Sequence, residues 1–129
     1  MTRKTELKLL GFALSDESDP RHAIRQLLKR RLDPPRPDEA RMVAYLRSAQ
    51  PFIVSPGVEF DLLDGSGPIG SGSILTDSEH AWPDVLAHYL EAYHIELPEE
   101  FWAAVAARGF MPPALSIQQL RTLMLPGVS

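Results

Sequence analysis

The apolar residues of this chain change period twice, and no other feature constrains its fold as strongly. Ile24, Leu27, Leu28 and Leu32 fall at helical spacing, and Met42, Val43 and Leu46 line one side of a second helix. From Val58 to Leu62 apolar and acidic residues alternate, the pattern of a strand with one wet face. Phe52–Val54 and Ser73–Thr76 also read as extended. Beyond them the helical period returns. At about 100° per residue, Trp82, Val85, Leu86, Tyr89, Leu90, Ala92 and Tyr93 cover one arc of roughly 160° on a helix predicted over 82–94. Helices, then strands, then helices predict an α+β domain: a small antiparallel sheet of about three strands covered by about five helices.

Local punctuation places the boundaries. Asp19-Pro20 is an N-cap followed by proline at the first helical position, opening a helix over about 20–32. Asp33-Pro-Pro-Arg-Pro-Asp38 stops it, because each proline disfavours helical geometry in the residue before it. The runs SPG and DGSGPIGSG are turn chemistry. Pro98 opens a helix with Glu99 and Glu100 in its first turn, Arg108 in its last, Gly109 as the left-handed stop and Phe110 as its closure. Ser116 and Gln119 form a capping box for a last helix. Glu6 to Leu14 is apolar and short, readable as helix or strand.

A chain of 129 residues fits one domain, here a basic helical segment over 1–36 and an α+β core over 37–129. It has no cysteine, which excludes disulfides and thiol catalysis and agrees with a reducing cytoplasm, the expected location. The basic start is interrupted by Lys8, so neither a secretory signal nor a membrane span is expected. The net charge of −4 conceals an asymmetry. Residues 21–47 hold eight basic side chains against three acids, and residues 48–129 hold two against ten. The polarity is either satisfied internally or displayed as two surfaces for different partners.

Each candidate for chemistry has a plain structural counterpart. His88 and His94 lie six positions apart and point about 120° from one another, so they cannot share a metal. Glu91 and His94 match one Glu-x-x-His pair, but no second pair occurs, so neither a metal nor another cofactor is expected. Asp84, His88 and Glu91 form a polar stripe. The Gly65–Ser73 run lacks the following helix and the lysine of a phosphate loop and reads as a flexible connection. Arg25, Lys29, Arg30 and Arg31 are the best nucleic-acid candidates, without interleaved aromatics. Trp102 stands about 100° from the Phe101–Val105 stripe, where an indole either closes the core or anchors a partner.

The segment ILTDSEHAWPDVLAHYLEAYHIELPEEF, residues 74–101, resembles a pattern found in small bacterial proteins, roughly L-T-D-G-x-W-x-W-P-x-x-L-x-Y-Y-x-x-x-Y-H-x-x-L-P-x-E-F. Thr76, Asp77, Trp82, Pro83, Leu86, Tyr89, Tyr93, His94, Leu97, Pro98, Glu100 and Phe101 match it. Ser78 stands where the pattern has glycine, His80 where it has tryptophan and His88 where it has tyrosine. The similarity extends over about residues 42–113 and implies no catalytic role for His80 or His88. Some such proteins are immunity-like, which implies a toxin-neutralising binder.

The expected function is therefore non-catalytic recognition of another protein, immunity- or antitoxin-like, with a basic toxin or effector as partner. Asp84, Glu91, Glu96, Glu99 and Glu100, beside Trp102, would form the docking surface. One rival is a small enzyme or ligand-binding domain with a pocket near His80 or His94. The other is nucleic-acid binding through the basic N-terminal helix.

Overall fold

A computed structural model describes residues 4–10 and 34–126. The predicted helix over 20–32, with Arg25, Lys29, Arg30 and Arg31, lies outside the described residues. Within them the fold is α+β, with four helices and two small sheets. The strands are β1 (Thr5–Glu6), β2 (Lys8–Leu9), β3 (Gln50–Ile53), β4 (Ile74–Thr76), β5 (His80–Pro83) and β6 (Leu123–Met124). The helices are α1 (Glu39–Ser48), α2 (Leu86–Tyr93), α3 (Glu99–Ala107) and α4 (Ile117–Arg121).

The four-stranded sheet contains a small antiparallel set of three strands, as expected, and adds a parallel strand at its edge. Its order is β2-β5-β4-β3, with β3/β4 and β4/β5 antiparallel and β2 parallel to β5. β1 and β6 form a separate parallel pair. The ambiguous N-terminal segment, where described, is extended and serves both sheets. Thr5 and Leu7 donate to Thr122 and Met124, then Lys8 and Leu10 donate to Glu79 and Ala81. Leu7 and Leu10 are buried as a result.

The helix predicted from Trp82 begins four residues later. Trp82-Pro83 belongs to β5, a central strand buried along its whole length. The physical reason was local: a residue preceding proline is pushed out of the helical region. The expected strand over Val58–Leu62 is also corrected. Only an isolated bridge between Glu59 and Gly70 forms there, inside the long connection from β3 to β4.

β5 separates two apolar layers. His80 and Trp82 both meet Phe101 edge-on, at ring distances of 4.9 and 5.7 Å. On this side Met42, Tyr45 and Leu46 of α1 pack with Leu86, Tyr89 and Leu90 of α2 and Phe101, Trp102 and Val105 of α3. Ala81 joins the other layer, with Leu7, Leu123, Phe52, Ile74 and Leu120. Helix α1 packs chiefly on α2, and the Trp82 Nε1–H donates to the Leu46 carbonyl at 3.1 Å, tying the end of α1 to the central strand. The predicted stops recur. Gly109 and Phe110 both take left-handed geometry after α3, and the Ser116–Gln119 capping box is formed.

Candidate functional site

The polar side chains gather in three networks, each centred on one aspartate. The first is deepest. Asp77, fully buried, closes a turn by accepting the Glu79 and His80 backbone N–H groups on Oδ1. Its Oδ2 accepts from the Tyr45 hydroxyl and from Arg108, both at 2.7 Å, and Arg108 also donates to the Tyr45 oxygen. A charge removed from water is tolerable only when so completely partnered. Burial, then the hydrogen bond to Asp77, raises the Tyr45 pKa well above that of an ordinary phenol. His80 lies against this network and is 3% exposed. Its Nδ1 has no hydrogen-bond partner, with the Glu79 carboxylate 3.6 Å away. Burial lowers its pKa despite the pull of Asp77 and Glu79, so the ring is neutral at pH 7.

The second network pins the β3–β4 connection to α2. Asp61 Oδ2 receives the Tyr93 hydroxyl and meets His88 Nε2, each at 2.7 Å, while Oδ1 accepts from the Leu63 and Asp64 backbones. Burial alone would raise this carboxyl; the four partners outweigh it and bring its pKa to about 2. Tyr89 stacks on Tyr93, with ring centroids 5.9 Å apart, and its hydroxyl oxygen accepts from Leu62 N–H.

The third network answers the question posed by the glycine-serine run. Its backbone N–H groups do cradle an anion, but the anion is Asp84. Ser71 N–H and Ser71 Oγ–H donate to Asp84 Oδ2, both at 2.9 Å, and Gly72 N–H reaches Oδ1. Gly70 permits the approach. A Cβ there would stand 2.7 Å from Asp84 Oδ1 and 2.8 Å from Val85 Cγ1.

The expected docking residues have different surroundings. Asp84 is half-buried, its carboxylate held by Ser71 and Gly72. Glu91 pairs with Arg47, and Glu99 pairs with Arg36. Glu96 and Glu100 are exposed where α2 gives way to α3. Trp102 is not an exposed anchor: it is 3% exposed, in the core, with the Arg36 guanidinium 4.1 Å above its ring. The polar stripe Asp84–His88–Glu91 does not act together, since each member has a different partner. His94 is left-handed and ends α2, but its ring turns to Glu39, with Nδ1 at 2.8 and 2.9 Å from the two carboxylate oxygens, rather than to the helix carbonyls.

Two surface hollows, of about 540 and 550 Å³, are lined by Val58–Gly65 and by Lys4, Phe52, Ile117, Leu120, Arg121 and Leu123. Neither includes His80 or His94. Among the described residues no group of three or more His, Asp or Glu side chains could hold a metal, and no helix is long and apolar enough to cross a membrane. Sequence reasoning missed Asp61 and Asp77 as network centres. Each does carry a readable signal, a side chain that accepts backbone N–H groups two and three residues ahead. Their distant partners carry none. Compared with protein-family models, curated proteins and solved structures, the chain matches none of them.

Proposed function

We propose that this protein is a non-catalytic binder of a basic protein, immunity-like in the sense implied by residues 74–101. One observation carries the reading: between Arg47 and Arg108 the chain contains no lysine or arginine, and ten acids occupy that stretch. Glu59, Asp64, Glu79, Glu96, Glu99 and Glu100 are among those exposed. A predominantly acidic surface raises the encounter rate with an oppositely charged protein and disfavours acidic competitors. Among the described residues, Asp61, Asp77, Asp84, His88 and His94 are tied to partners within the chain, and His80 is closed in the core.

The test is co-expression with the product of the adjacent reading frame. The expected result is a complex that survives gel filtration at low salt, weakens steeply as sodium chloride is added, and relieves the growth arrest that product causes alone. An adjacent product that neither binds nor is neutralised would overturn the reading.

A further inference from the structure

The segment Val58–Leu62 has the alternation of a strand but does not bury it as one: Val58, Glu59 and Phe60 are all exposed and Asp61 alone is buried. Phe60 is 50% exposed and Val58 62%, whereas Asp61 is 3% exposed. An aromatic ring facing water beside a carboxylate turned inward opposes the ordinary direction of burial. Nor is this loop loosely held. Asp61 is gripped by His88, Tyr93 and two backbone N–H groups, Leu62 N–H reaches the Tyr89 hydroxyl, and Glu59 pairs with Gly70. The buried carboxylate thus fixes its neighbour Phe60 outward on a rigid support. The same segment lines the hollow of about 540 Å³. Glu59 and Asp64 stand exposed beside it, in a stretch of sequence without a single cation.

We propose that Val58 and Phe60, framed by Glu59 and Asp64, are the face on which a basic protein segment docks, an apolar side chain of that segment seating over the 58–65 hollow with lysines or arginines around it. This deepens the function proposed above and rests on it. Charge complementarity chooses the partner: a cation-rich segment meets two carboxylates in a stretch of sequence that holds no lysine or arginine, while an acidic one is repelled. An aromatic carried on backbone that is already held supplies affinity at a reduced ordering cost.

The test is selection of displayed random peptides on the full chain, followed by anisotropy titration of the enriched sequences. They are expected to carry Lys or Arg around an aromatic or aliphatic anchor. Binding should weaken at least tenfold in Phe60→Ser and should shift toward acidic peptides in Glu59→Lys/Asp64→Lys. Both changes fall on exposed side chains, and circular dichroism melts should match the parent chain. Val58→Ser supplies a second reading if Phe60→Ser melts early. Basic peptides that bind Phe60→Ser and Val58→Ser as well as the parent, but are lost on reversal of Glu96, Glu99 and Glu100, would overturn this face and leave protein recognition standing. Enrichment of acidic or neutral peptides would overturn the charge argument. No enrichment at all would overturn both proposals. Dimerisation abolished by Phe60→Ser would make a second copy the occupant and overturn the proposal as well.

Discussion

Ser78 is a residue whose side chain and backbone geometry are opposed. Its backbone is left-handed, at φ 81°. A side chain in that region costs roughly 1–2 kcal/mol, part of which glycine returns through its greater freedom when unfolded. The turn is otherwise well held, since Ser78 N–H donates to Thr76 Oγ1 and Asp77 caps the two residues that follow. Ser78→Gly should therefore raise unfolding stability by about 0.5–1 kcal/mol, read as a higher urea midpoint with an unchanged slope. A lower midpoint would mean that the serine side chain contributes something absent from its known contacts.

Among the elements, β5 contributes most to cohesion and was the least visible in advance. Its residues are buried, it lies between β2 and β4, and its tryptophan reaches the last turn of α1. Trp82→Phe should cost about 2–3 kcal/mol, because it leaves the Leu46 carbonyl without its donor and opens a space in the core. The Arg47–Glu91 pair also joins α1 to α2, but both side chains are more than half exposed. Arg47→Ala should change stability by less than about 0.5 kcal/mol. Parallel urea titrations of the two variants would compare burial with surface charge as the source of cohesion between these elements. Similar losses in both would refute this ranking.

For the molecule as a whole, the buried ionisable groups set the response to acid. His80 has a folded pKa below its ordinary value, so its unfolded form takes up a proton first. Stability is complete above about pH 6.5 and declines as the pH falls toward the folded value. Asp61 acts lower. Its carboxyl falls from 3.8 to about 2 on folding, so its contribution, about 2 kcal/mol, is present above pH 4 and lost between about pH 4 and 2. Urea unfolding across pH 2–7 should show both declines. His80→Gln should remove the upper one and Asp61→Asn should flatten the lower. Variants that retain the parent slopes would assign acid sensitivity to other groups.

Residues that act on their immediate neighbours were legible in the sequence. The stop of α3 at Gly109, the capping box of α4, the acidic first turn of α3 and the apolar side of α1 all follow from steric and hydrogen-bonding rules that operate within one turn of chain. Trp82-Pro83 obeyed such a rule too, and the helical spacing of the residues after it obscured that. The direction in which an extended segment faces was not legible. At 58–62 the period of two belonged to the sequence, but Asp61 turns inward because His88 and Tyr93 wait for it 27 and 32 positions along the chain. Asp84 is half-buried and committed within the chain for a similar reason, taken up by Ser71 and Gly72. Local geometry depends on nearest neighbours, so sequence alone determined the stop of α3 and the cap of α4; burial of a charge depends on finding every partner at once, and only the tertiary structure brings those partners together.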